Sequence, residues 1–361
     1  MSKIYYLIFG VFLVLAVVVR VWLDKPTTLP KNQPLKFEAT IKREPRNYDF
    51  SQVIYVADSR VYVDLYPRYR VGDRLKIAGT FDEQGRMFDP EVEKIGERSS
   101  LSRWRSDLRD KISNNVGALL PAREATLVVG TVLGVDTISQ EFRQQLIKTG
   151  TIHVVVVSGQ NLMIVAGIFL ALTKYLGRRQ SMILAILVVF AYAFLTGFEP
   201  PVVRASIMVL VSTLAIFLGR EASVAWSLLI AALLIVLVWP QALFEVSFQL
   251  TFAATLGIVT LGSALQNWLK KLPFLGANAA IATSAYIFTA PVILFYFSRV
   301  SPIAPVANIL VAEAVFPIMV LGFLIALASL IFMPLAQVLA YLAYVPALYF
   351  SEVVRLLAKF V

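Results

Sequence analysis

The stretch TIHVVVVSGQN (151–161) opens a long apolar segment, yet it carries the chain's only histidine and ends in four small or polar residues. Lipid rejects such a cluster unless it faces a cavity or a partner. Ser158-Gly159 therefore reads as an interruption in a membrane helix. An interruption at that depth leaves free N–H groups and a positive half-helix end facing inward, as in many transport pathways. The competing reading is a tight helix crossing, with Ser158, Gly159 and Asn161 as close-approach or bridging residues. On an unbroken helix, His153 and Gln160 share a face, whereas Ser158 lies ~140° from His153. That angle, and the absence of a second histidine, argue against a serine–histidine catalytic pair, which needs contact within ~3 Å.

Composition points the same way. The chain has 361 residues, is 58% hydrophobic and carries a net charge of +10. Its mean hydropathy of +0.74 exceeds that of soluble domains, which sit near half apolar. Charged residues concentrate between Asp24 and Lys111, which separates a polar N-terminal module from a membrane body. With no cysteine and one histidine, disulfides, thiolate sites and a catalytic zinc centre are excluded. No phosphate-binding loop motif appears, so no cofactor is expected and any energy source lies elsewhere. The positive balance suits anionic lipid headgroups or nucleic acid.

Residues 4–23 are long enough to cross a hydrocarbon core of roughly 30 Å, and no small-residue cleavage site follows. They read as a retained transmembrane helix. Residues 34–98 hold five short alternating runs separated by turn residues, which predicts a small β-barrel of OB-like type. In it Tyr55, Tyr62, Tyr66 and Tyr69 interleave with Arg60, Arg68 and Arg70. Rings beside guanidinium groups suit a single strand of nucleic acid, although ordinary sheet tyrosines with solvated arginines would look the same. Residues 99–150 read as interfacial amphipathic helices, with Leu101, Trp104, Leu108 and Ile112 on one face and arginines on the other. Within them 122–134 is too short to span and reads as re-entrant or interfacial.

Residues 151–361 hold eight apolar runs. Lys174, Arg178, Arg179, Arg220, Lys270 and Lys271 fall on one side if each run spans once, which places them in the cytoplasm and the β module outside. Arg355 and Lys359 do not fit that alternation. The fold expected is thus a polytopic α-helical membrane protein with an N-terminal transmembrane helix and an extracellular β-barrel.

Three further polar clusters interrupt the apolar runs. In TGFEPPVVRA (196–205), Pro200 and Pro201 start a helix, Glu199 complements its positive end, and Arg204 lies one turn inside. Arg204 either snorkels, pairs with Glu199, or faces an anion. In LFEVSFQLTF (243–252), Glu245, Gln249 and Phe252 share a face, with Gln249 the deeper residue; Ser247, Thr251 and Thr255 form a second stripe suited to backbone bonding. In 298–317, Pro302, Pro305 and Pro317 are expected to bend or break a helix around Asn308 and Glu313.

H-x4-S-G-x-N (153–161), T-G-x-x-P-P-x-x-R-A (196–205), F-Q-L-T-F (248–252) and S-P-I-A-P-x-A-N (301–308), in this order, resemble the ComEC competence family. Many members read S-G-x-H where Asn161 stands. The resemblance implies a channel that imports single-stranded DNA during natural transformation, the OB-like module contacting DNA outside and the polar intramembrane residues lining the path. It also implies partners: a DNA receptor, a cytoplasmic helicase, and a separate nuclease. The nuclease is expected because long members carry a metallo-β-lactamase-like domain that this sequence lacks the histidines to form. Another anionic or amphipathic substrate, such as a lipid or polysaccharide, and a non-transporting scaffold are the alternatives.

Overall fold

A computed structural model describes residues 19, 30, 32–41, 45–47, 51–56, 59–97, 101–156, 158–171, 173–217, 224–269 and 276–361. Apart from Val19, the helix expected over 4–23 lies outside the described residues, as do Arg220, Lys270 and Lys271.

The N-terminal module is β. Strands β1 (Pro34–Thr40), β5 (Asp73–Thr80) and β7 (Glu91–Glu97) form one antiparallel sheet in the order β1-β5-β7. Strands β2 (Arg46–Asn47), β3 (Ser51–Val56), β4 (Ser59–Asp64) and β6 (Arg86–Phe88) form a second, with β6 parallel to β4. Alternation drives both: Leu75 and Ile77 point inward from β5, Ile54 and Val61 from the β3–β4 hairpin, and they share a core with Phe81 and Met87. β6 and β7 are separated at Asp89-Pro90, because proline lacks the N–H a ladder needs. The β5–β6 turn is held by Asp82, whose Oδ1 accepts from the backbone N–H groups of Gln84 and Arg86 at 2.9 and 2.7 Å, with Gly85 in the left-handed region at φ 71°.

Thirteen helices follow among the described residues. The first three are α1 (Leu101–Leu119), α2 (Ala122–Leu133) and α3 (Gln140–Lys148), then the short α4 (Ile152–Val155). α1 buries only part of the face its apolar spacing predicts. Leu101 and Trp104 are 68% and 57% exposed, whereas Ile112 is buried and Leu108 packs on the core, and Arg105, Arg109 and Val116 are buried as well. Arg109 meets the Leu133 carbonyl there, and Arg105 lies over the Phe194 ring at 5.8 Å. α2 likewise lies inside the bundle rather than along its surface. Val128 and Val132 press on Gly322, and a β-carbon there would approach Val132 Cγ2 to 2.7 Å.

The remainder is α5 (Gly159–Ala171), α6 (Thr173–Leu176), α7 (Arg178–Leu195), α8 (Pro200–Phe217), α9 (Val224–Val238), α10 (Val246–Trp268), α11 (Gly276–Phe297), α12 (Ala304–Ile331) and α13 (Met333–Leu357). Among the described residues five helices are long and apolar enough to cross a membrane: α7, α10, α11, α12, and α13 with its closing turn to Phe360. The chain is a multi-pass membrane protein. α5, α8 and α9 contain shorter apolar stretches of 10–17 residues. α12 is the central one, half of its apolar window being buried within the protein, and it packs on an alanine stripe of α13 (Ala336, Ala340, Ala343, Ala347). Small residues at this spacing let helix backbones approach closely where lipid gives no hydrophobic drive. α12 also corrects an expectation: it runs unbroken from Ala304 to Ile331. Pro305 sits in the first turn, where no N–H is needed, and Pro317 is absorbed inside the helix.

The β module is fastened to α1 by ion pairs. Buried Asp73 accepts from Arg103 at 3.2 Å and from Lys94 at 3.1 Å; Arg103 also reaches Glu97 at 2.9 Å, and Arg70 reaches Asp107 at 3.2 Å. Hydrogen bonding from Lys94 first, then the Arg103 charge, holds the Glu97 carboxyl below its ordinary value of 4.5. A depressed carboxyl stabilises the docked state above its ordinary value, and that contribution is lost as pH falls through the depressed one.

We therefore expect protection from hydrogen exchange at residues 101–107, after correction for the intrinsic rate, to fall as pH drops below the ordinary carboxyl value of 4.5, and to fall less in Glu97→Gln, which has already lost the contact. At the α10–α11 crossing, a β-carbon on Gly257 would lie 2.3 Å from the Ser284 carbonyl, whereas one on Gly262 meets Ser284 Oγ at 3.8 Å. Gly257→Ala should therefore lower stability by about 1–3 kcal/mol in detergent, with Gly262→Ala near neutral; thermal unfolding of the two variants checks this.

Candidate functional site

The opening stretch breaks where its small residues stand. α4 ends at Val155, Val156 turns extended at ψ 145°, and α5 begins at Gly159. The break separates His153 from the residues after it, so the shared face of His153 and Gln160 does not form. His153 is exposed on α4; the side chain of Gln160 lies outside the described residues. Ser158 takes the start of α5: its Oγ accepts the Asn161 N–H at 3.4 Å and donates to Asn161 Oδ1 at 3.1 Å.

What occupies the space beside the break is another helix. Asn161 is 1% exposed, and its Nδ2 donates to the Thr131 carbonyl of α2 at 3.0 Å. The Tyr192 hydroxyl of α7 donates to the same carbonyl at 3.2 Å, and Arg109 Nη2 donates to the Leu133 carbonyl at 3.0 Å. The last carbonyls of a helix have no partner of their own and carry its negative end, so amide, phenol and guanidinium donors belong there. Thr131, Tyr192, Arg105 and Arg109 were not singled out from the sequence. The signal available was the i, i+4 spacing of Arg105 and Arg109 in register with Ile112 and Val116.

A second site joins two clusters that the sequence kept apart. Arg204 of α8 is 3% exposed and does not pair with Glu199, which instead starts the helix by accepting the N–H groups of Val202 and Val203 through its carbonyl. Its Nη2 crosses to α10, donating to Ser247 Oγ at 2.8 Å, the Ser247 carbonyl at 3.1 Å and Thr251 Oγ1 at 3.1 Å. Its Nε is buried without a hydrogen-bond partner. Glu245, exposed at the start of α10, is the opposite charge acting on it, and no ion pair to Arg204 forms among the described residues. Gln249 is not deep. Residues Pro240–Phe244 form a 3-10 turn, so α10 starts at Val246 and Gln249 lies in its first turn, donating to the Leu243 carbonyl at 3.1 Å. Thr255 returns its hydroxyl to the Thr251 carbonyl at 2.9 Å, the backbone bonding expected of that stripe.

The third site lies between α11 and α12. Glu313, exposed on an otherwise apolar helix, accepts from Asn278 Nδ2 at 2.6 Å. Asn308 donates to the Ala304 carbonyl one turn back at 2.9 Å. The fourth site is the outer face of the β2-β3-β4-β6 sheet. Tyr62 stacks on Phe88 with ring centroids 4.7 Å apart, Arg86 lies over Phe88 at 5.4 Å, and Arg60 is exposed opposite Tyr55. Arg68 lies over the exposed ring of Tyr66 at 5.5 Å. Tyr69 is buried in the module's core and Arg70 is committed to α1, so neither belongs to that face. Among the described residues no cluster of three or more His, Asp or Glu could hold a metal ion.

The family model described as "Competence protein" matches residues 132–361. The chain belongs to that family. Within curated relatives it is 26% identical to ComE operon protein 3 of Bacillus subtilis (strain 168) over 206 residues, covering 56% of this chain and 26% of the relative. It is 30% identical to an uncharacterized protein of Aquifex aeolicus (strain VF5) over 199 residues, covering 54% of this chain and 45% of the relative. The aligned region thus spans less than half the length of either. No solved structure matches. The family match begins at Val132, inside the last turn of α2, and so contains Leu133, Asn161, Tyr192 and Arg204 but not the β module.

Asn161→Leu would leave the Thr131 carbonyl with one donor and the Ser158 hydroxyl without its acceptor. We expect a loss of about 1–3 kcal/mol, the range for a buried polar group left unmade, read as a lowered unfolding temperature in detergent. Tyr192→Phe should lower it less, because Asn161 still reaches the same oxygen.

Proposed function

We propose that this protein is the membrane channel of a DNA-uptake system, importing single-stranded DNA during natural transformation. The observation that carries the reading is Arg204. A buried guanidinium whose partners are hydroxyl and carbonyl oxygens, with one N–H left over, can exchange those neutral partners for a passing phosphate. Membership of a competence family supplies the context, and the B. subtilis relative is named ComE operon protein 3.

The rest of the molecule fits this reading. Glu313, Asn278, Glu245 and Ser247 place polar groups on otherwise apolar helices, where a wet path rather than lipid stabilises them. We read the β module as OB-like and external, and its Tyr62–Phe88 stack flanked by Arg60 and Arg86 as the first contact for the strand, since bases stack on rings while guanidinium groups hold phosphates. The N-terminal segment anchors it with its start in the cytoplasm, the bulk of Lys and Arg loops lying on that side. A DNA receptor, a nuclease activity and a helicase act with it in the uptake machinery.

Cells lacking the gene should lose uptake of labelled DNA. Complementation with Arg204→Ala should leave it reduced roughly tenfold, the ~1.4 kcal/mol of a charge-assisted hydrogen bond, at unchanged protein level in the membrane. Normal transformation in the deletion strain contradicts the proposal. For the full chain in detergent, Tyr62→Ala with Phe88→Ala should weaken binding of a single-stranded oligonucleotide by at least about 1 kcal/mol per lost stack.

A further inference from the structure

Away from all four sites, α3 and the end of α13 enclose a cleft of about 380 Å³ lined by Glu141, Gln144, Gln145, Lys148, Arg355 and Lys359. Its charges are unevenly matched. Glu141 is held by Arg123 at 2.8 Å and Arg355 pairs with Glu352. Lys148 and Lys359 form no ion pair among the described residues, and both are exposed. Gln145 Nε2 donates to Glu141 at 3.1 Å, while its Oε1 has no donor. The cleft therefore offers two unneutralised ammonium groups beside an amide acceptor.

Its height in the membrane follows from α13. Met333–Phe360 has 28 residues, ~42 Å at 1.5 Å per residue, against a hydrocarbon core of roughly 30 Å. The end carrying Arg355 and Lys359 therefore stands at headgroup level. An apolar stripe leads to it along the same helix: Leu342, Val345, Tyr349 and Leu356 are 57%, 68%, 45% and 50% exposed. A lipid whose acyl chains lie on that stripe brings its phosphate to the two lysines.

We propose that this cleft is a site for an anionic phospholipid, its phosphate between Lys148 and Lys359. This accounts for Arg355 and Lys359, which the alternation of basic loops leaves unexplained. Free phosphate has no use for the apolar stripe, and neither does a nucleic-acid strand; the stripe decides for lipid.

The test is native mass spectrometry of the full chain released from bilayers of phosphatidylglycerol and phosphatidylcholine. Wild type should retain phosphatidylglycerol selectively. The double variant Lys148→Gln/Lys359→Gln should retain about tenfold less, and Lys174→Gln, an exposed lysine elsewhere, should match wild type. Equal retention by the double variant and wild type overturns the proposal, as does equal retention of the two lipids. Displacement of the lipid by millimolar inorganic phosphate would assign the cleft to free phosphate. Stronger binding of a single-stranded oligonucleotide through the same two lysines would assign it to the transported strand. Either result ends the lipid assignment.

Discussion

A helix that stops inside a membrane protein leaves its last carbonyls without donors, in a place where water does not supply them. α2 stops that way, and the amide of Asn161, the phenol of Tyr192 and the guanidinium of Arg109 converge on its Thr131 and Leu133 carbonyls. Each donor comes from a different element. Asn161 can reach only because the preceding chain breaks at Val156 and restarts at Gly159. Arg109 can reach only because α1 turns its charged face inward. The interruption at 156–158 and the inward Arg109 of α1 are thus two consequences of one need, the satisfaction of a buried helix end.

That need also separates structural polar residues from those free to act. Asn161 is spent on α2, and with it the simplest picture of an open path beside the break. Arg204 differs: its partners are two hydroxyl groups, which can rotate away, and one carbonyl of α10. Glu313 differs again, facing outward from an apolar helix with one amide for company. The functional reading therefore rests on α8, α10, α11 and α12, with the 151–161 break as the framework that holds them.

Much of this was legible in the sequence. Period-2 alternation and turn residues located the β module, and apolar length located the long helices, because both depend on local geometry alone. The break at Ser158-Gly159 was legible because small polar residues in lipid have few explanations. What was not legible depended on contacts distant in the chain. The inward Arg109 of α1 answers a carbonyl 24 residues away. Arg204 answers hydroxyls 43 and 47 residues away rather than the nearby Glu199. The prolines of 302–317 misled in the opposite direction: neighbouring helices absorb what would break a solitary helix, and α12 passes through unbroken.

The central claim, that a single strand of DNA passes this chain at Arg204, is met most directly by planar-bilayer conductance of the purified full chain. The account predicts an ionic conductance that a single-stranded oligonucleotide blocks in a voltage-dependent way, with duplex of equal length inert and the block weakened by Arg204→Ala. A bilayer with reconstituted protein and no conductance, or a conductance blocked equally by duplex and unaffected by the substitution, would contradict it.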